Sequence, residues 1–196
     1  MKKLVTCKEM KDLDSTTIRE IGVPSEVLME RAALKVVEET EKYLQKDERI
    51  LVVCGSGNNG GDGIAVARLF HLKGIRVEFY MVGNKDKMTR ETALQYKIAS
   101  GYRVPEVNNP QWSEYTTIVD AVFGVGLTRP IEGHYADIIH EMNSARAKKI
   151  AVDIPSGVNG DTGLEMGIAF SADLTVTFAY RKRGLCFYPG RLYAGR

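Results

Sequence analysis

The chain has 196 residues, 44% of them hydrophobic and 27% charged, with a formal net charge of +2. That balance is typical of a globular protein, and a nearly neutral surface argues against an extended polyanion such as nucleic acid as partner. No stretch approaches the ~18–20 apolar residues of a membrane span, and Cys7, Cys54 and Cys186 are odd in number and scattered, which suggests neither a disulfide framework nor a zinc site.

A chain of this length supports one sizeable core, so a single domain over residues 1–196 is expected, with a cytoplasmic setting as the default. Met1 to Thr6 begins with charge, as a secretory signal does, but Cys7-Lys8-Glu9 stands where the long apolar segment should follow. Thr6-Cys7-Lys8-Glu9 has instead the form of a capping box, which predicts a helix to about Glu20. Gly22-Val23-Pro24 breaks the chain. Pro24 then suits the first position of a second helix whose inward face is Val27, Leu28, Ala32, Val36, Val37 and Leu44. Both helices read as packing elements.

From residue 49 the pattern alternates between strand and helix: Ile50 to Cys54, Asp62 to Lys73, Ile75 to Val82, Thr89 to Ser100, Thr116 to Val122, His134 to Ala145, Lys149 to Ile154 and Leu174 to Ala179. Short β-rich runs separated by helices of this length imply βαβ units, hence an α/β fold with a mainly parallel sheet covered on both faces. Tyr102 to Trp112, with two prolines and two asparagines, favours loop.

In an open parallel sheet, ligands bind outside the carboxyl ends of the strands. Three segments should meet there. The first is Gly55-Ser56-Gly57-Asn58-Asn59-Gly60-Gly61-Asp62-Gly63, whose start satisfies GxGxxG between a strand and a helix. Glycine there lets a phosphate approach backbone amides at a helix start, although a tight turn explains the same residues. Glu78 lies about where a ribose-binding acid is sought, but inside a strand pattern. The second segment is Asp120 followed by Gly124-Val125-Gly126-Leu127-Thr128-Arg129-Pro130, and the third is Asp153-Ile154-Pro155-Ser156-Gly157.

Each polar residue in this set has two readings. Asn59, Asp120 and Ser156 offer oxygen donors of the kind hard cations prefer, but Asp120 and Ser156 could equally satisfy loop amides. Asp153 at a strand end could have a raised pKa and move protons as an acid or base, or simply cap its loop. Arg129 could pair with phosphate or lie in solvent. His71, His134 and His140 show no triad or ligand spacing. Arg181-Lys182-Arg183 reads as a solvated charge run, though Lys182 follows a strand and could reach the rim.

The motifs GSGNNGGDG, VDAVFGVGL, AVDIPSGVNGDTG and ADLTVTFAYRKRGL, together with LMERAA at Leu28 to Ala33, resemble the YjeF N-terminal domain family, the NAD(P)H-hydrate epimerases, over nearly the whole chain. The resemblance implies a Rossmann-like α/β/α sandwich that interconverts the R and S forms of hydrated NADH and NADPH (NADHX and NADPHX), repairing damaged cofactor. It places substrate contacts at Asn58, Asn59, Gly60, Gly61 and Asp62, at Gly124, Val125, Gly126, Leu127, Thr128, Arg129 and Pro130, and at Asp153, the expected acid/base. It places a potassium ion at Asn59, Asp120 and Ser156. A homodimer is expected, and an ADP- or ATP-dependent hydrate dehydratase, fused or separate, is the expected partner.

Two departures are visible. Phe178 to Gly184 reads FAYRKRG where family members often have FAAPKPG, and the chain stops at Arg196 where they usually add another strand. The sequence is then either short by nature or a piece of a longer polypeptide. Two other readings stay open: an NAD-dependent oxidoreductase, for which a second substrate domain and a hydride-transfer site are lacking, and a non-catalytic nucleotide-binding module, which should lose the NNGGD and Asp153 signatures.

Overall fold

The computed structural model describes residues 3–196. The charged start at Met1 and Lys2 lies outside them. Strand β1 (Leu4–Val5) leads into α1 (Cys7–Arg19), whose expected capping box is formed: the Glu9 N–H donates to Thr6 Oγ1 at 3.1 Å, and the Thr6 N–H donates to the Glu9 carboxylate at 2.7 Å. Helix α2 (Ser25–Glu41) starts one residue later than expected, because Pro24 takes the cap position. Its buried stripe is Met29, Ala33, Val36, Val37 and Thr40, while Val27 is exposed. That set recurs at three- and four-residue intervals, as one helical face requires.

The alternating region is β2 (Arg49–Cys54), α3 (Asn58–Leu72), β3 (Arg76–Met81), α4 (Arg90–Gly101), β4 (Thr117–Ala121), α5 (His134–Ser144), β5 (Lys148–Val152) and β6 (Leu174–Val176). Most bounds fall within a residue or two of expectation. The exception at a helix start is α3, which begins at Asn58, so Asn58 to Asp62 are helical and not a loop. At the strand ends, the stretches after Val152 and Val176 leave the sheet early. Tyr102 to Gln111 forms no helix or strand, only a bridge between Phe79 and Glu106, and a short 3-10 turn begins at Trp112. The chain closes with β7 (Arg181–Lys182) and α6 (Gly190–Ala194).

The five-stranded sheet has the order β3-β2-β4-β5-β6, and all four pairings are parallel. Alternate residues of β2 feed opposite faces. Ile50, Val52 and Cys54 pack with Val36 and Val37 of α2, Phe70 of α3 and Ala99 of α4, whereas Leu51 and Val53 pack with Ile138, Ile139 and Met142 of α5. Two cores on the two faces of one sheet make the three-layer α/β/α arrangement. A separate parallel pair joins β1 to β7, with Val5 beside Lys182.

Candidate active site

The chain leaves β2 toward β3 on one side and returns to β4 on the other, which opens a crevice at the carboxyl ends of β2 and β4. A cavity of about 1240 Å³ lies there, lined from the sheet side by Ser56 to Asn59, Asp62, Val122 to Leu127, Asp153, Thr177 to Ala179 and Lys182. The opposite wall comes from α1 (Met10, Asp14, Ile18, Arg19) and α2 (Leu28, Met29, Arg31, Lys35). The two helices read as packing elements are therefore also a wall of the site. Asp14 stands between Met10 and Ile18 on one helical row, and an acid within an otherwise apolar row was the available signal.

The glycine segment splits into two kinds of residue. Asn58, Asn59 and Asp62 line the cavity, and Gly60 and Gly61 do not. A Cβ on Gly60 would lie 1.8 Å from the Gly55 carbonyl oxygen, so this glycine lets the loop fold against the start of α3. Helix α4 fixes the same loop from outside: Thr92 Oγ1 donates to the Gly57 carbonyl at 2.9 Å, and the Thr89 N–H to the Ser56 carbonyl at 3.0 Å.

Asp153 follows β5 directly and has φ +66°, a left-handed conformation uncommon outside glycine and typical of positions that their surroundings over-determine. Its N–H donates to the Val176 carbonyl at 2.9 Å, which ties it to β6. Its carboxylate meets the Lys182 ammonium and accepts at 3.3 Å from Thr177 Oγ1. Lys182 is 1% exposed and also donates to Thr177 Oγ1 at 3.0 Å and to the Phe178 carbonyl at 3.2 Å. The expected solvated charge run is thus corrected at Lys182: pairing of β7 with β1 turns its side chain inward.

Two more acids join this pair in the cavity. Burial pushes the Asp62 carboxyl well above the usual carboxylate range, helped by the charges of Asp153 and Asp14 and opposed by Lys182. Asp14 is exposed toward the cavity, and partial desolvation there raises it, with Lys182 opposing and Asp153 adding to the shift.

Asp120 and Ser156 lie beneath the cavity, both fully buried. The Asp120 carboxylate accepts from Ser156 Oγ at 2.6 Å, from the Ser156 N–H at 2.7 Å and from the Val122 N–H at 3.2 Å, while Ser156 Oγ accepts from the Phe123 N–H at 2.8 Å. The loop-tying role is real: these bonds join the turns after β4 and β5. Burial still raises Asp120 to about 6.

Other sequence candidates fall elsewhere. Thr128, Arg129 and Pro130 are exposed and do not line the cavity, and none of His71, His134 and His140 does. Glu78 is within β3, held by Arg49 Nη2 at 3.0 Å and by the Tyr115 hydroxyl at 2.8 Å, remote from any ribose-binding position at the rim.

Residues 25–184 match the family model described as YjeF-related protein N-terminus. The chain belongs to that family. Among similar members, the NAD(P)H-hydrate epimerase of Limosilactobacillus fermentum is 46% identical over 193 residues, covering 98% of this chain and 93% of that protein. The protein of the same name from Oenococcus oeni is 48% identical over 195 residues, covering 97% and 92%. The crystal structure of yeast ynu0 (YNL200c) superposes with a TM-score of 0.84 at 22% identity, covering 97% of this chain and 86% of that one, which shows the shared Rossmann-like fold.

The potassium ion implied by the YjeF-related resemblance can be tested against the donors present. Asp120 is a buried carboxylate with no ion-pair partner among the described residues, and Asn59 would have to offer its Oδ1, because its Nδ2, buried there without a hydrogen-bond partner, is a donor and no cation ligand. No group of three or more His, Cys, Asp or Glu suited to a metal occurs among those residues. One carboxylate with the neutral oxygens of Asn59 and Ser156 fits a singly charged, oxygen-preferring cation.

Proposed function

We propose that this YjeF-related protein interconverts the R and S forms of hydrated NADH and NADPH. The observation that carries the reading is the Asp153–Lys182 pair, buried at the foot of a cavity whose rim is a glycine turn and a helix start. The names of the similar proteins supply the substrate class. In the hydrate a hydroxyl sits at C6 of the reduced nicotinamide ring, beside the ring nitrogen. Inversion there follows reversible loss of water or ring opening, and both need a proton moved at that oxygen.

In this reading Asp153 moves that proton. Lys182 fixes its carboxylate, and the backbone around Ser56 to Asn59 presents amides to the dinucleotide phosphates, as helix starts do for anions. Gly124 to Leu127 continue the same wall of the cavity, Gly124 lying against Asn59. A potassium ion held by Asn59, Asp120 and Ser156 would supply positive charge beneath the phosphates and hold the turns together. The test is chromatographic. With pure R-epimer supplied, the S-epimer should appear, and Asp153→Asn should slow its appearance by ~10²-fold or more while cofactor affinity is kept. Near-full activity of Asp153→Asn would remove the assignment.

A further inference from the structure

We propose that Asp62 is a second catalytic group, giving a proton to the departing C6 hydroxyl while Asp153 accepts the proton of the water that returns. This rests on the epimerase reading above and divides its chemistry between two carboxyls.

The geometry sets the two acids apart. Asp153 is nearly buried and held by Lys182 and Thr177. Asp62 is partly buried, lines the same cavity, and has neither a hydrogen bond nor an ion pair to its carboxyl among the described residues. They come from separate strand ends, since Asp62 lies on α3 after β2, Asp153 follows β5, and β4 runs between those two strands. A substrate ring resting at that end of the sheet therefore has within the same cavity two carboxyls carried by separate loops.

The charges around Asp62 favour its protonated form. Asp14 faces it from α1 and Asp153 from the end of β5, and only Lys182 of β7 opposes them at close range. Farther out, Lys11 and Arg19 of α1, Arg31 and Lys35 of α2 and Glu91 of α4 line the mouth of the cavity. Burial with two like charges keeps a carboxylic acid neutral, whereas Asp153 has a cation against it. A neutral acid opposite a paired carboxylate is a working acid and base.

The step balances. As the C6–O bond breaks, the Asp62 proton joins the leaving oxygen and one water departs, while the ring nitrogen lone pair supports the positive charge at C6. A water oxygen then bonds C6 from the opposite face and its proton passes to Asp153. The epimer is inverted, the two carboxyls have exchanged protonation states, and the reverse conversion starts from that exchanged form.

Asp62→Asn keeps the shape and removes the transferable proton. Given R-epimer, it should lose ~10²-fold or more in kcat with KM changed by less than about threefold. Wild-type kcat should fall as pH rises through the elevated pKa of Asp62, because the donor is then spent. That alkaline limb should vanish from the residual rate of Asp62→Asn and persist in Asp62→Glu. In ¹⁸O-labelled water each inversion should install one labelled oxygen.

Asp62→Asn with more than a third of wild-type kcat, or an alkaline limb surviving in it, overturns the proposal. If the variant fails to fold, the wild-type enzyme decides: no alkaline limb, or inversion without label, overturns it. Failure of the wild type to exchange epimers would instead overturn the epimerase reading.

Discussion

Lys182 carries two burdens, being 1% exposed and the only cation paired with Asp153 among the described residues. Removing one member of a buried ion pair leaves the other desolvated and uncompensated, at a typical cost of about 3–5 kcal/mol. Lys182→Met should therefore lower stability by about that amount in a urea titration and abolish epimer exchange. Adding Asp153→Asn to it should recover much of the stability and none of the activity. The residue types at this site were readable from strand ends, and Asp153 was found that way. Direction was legible only in part: Lys182, following a strand, could be read as able to reach the rim, but nothing in RKR says that it is fully buried against Asp153. Asp14 was hidden for the related reason that an exposed polar residue on an amphipathic helix gives no sign that it borders a cavity until the element opposite it is known.

At the scale of elements, the meeting of β2 and α3 is the most exacting construction in the molecule. Gly60 comes so close to the Gly55 carbonyl that a methyl group there would sit 1.8 Å from its oxygen, whereas a Cβ on Gly57 would meet nothing within 4 Å. Gly60→Ala should force α3 away from the loop and cost about 3 kcal/mol or more, at the upper end of overpacking effects. Gly57→Ala should cost about 1 kcal/mol or less, the ordinary loss of a good helix cap. Thermal unfolding of the two variants measures the contrast. The long elements were legible because the helices keep an apolar period near 3.6 and the strands, covered on both faces, read as continuous apolar runs. The start of α3 was not, because Asn-Asn-Gly-Gly has poor helix propensity and is helical through tertiary packing and the bonds from α4. β1 and β7, two residues each, are too short to show any period.

For the whole molecule, the sheet brings three loops distant in sequence to one end, and Asp120 to Ser156 ties two of them together. A cation joining Asn59 to that pair would bind the folded chain alone and so raise its stability. Present at about ten times its Kd, it contributes about 1.4 kcal/mol, which for a chain of this size is about 3–6 °C in Tm. Calorimetry in potassium chloride should show that rise over caesium chloride at equal ionic strength, and the larger ion should also weaken substrate binding. Equal Tm in both salts would count against the cation site.

The small pairing of β1 with β7 sets a timetable for assembly. Leu4 and Val5 lie beside Arg181 and Lys182, so the ammonium that holds Asp153 is placed by residues from opposite ends of the described chain. Contacts this distant in sequence are slow to form, and during synthesis this one must wait until Lys182 has emerged. The five-stranded sheet, complete at Val176, can precede it. A nascent chain can thus hold its folded sheet for some time before Asp153 gains the cation that fixes its carboxylate.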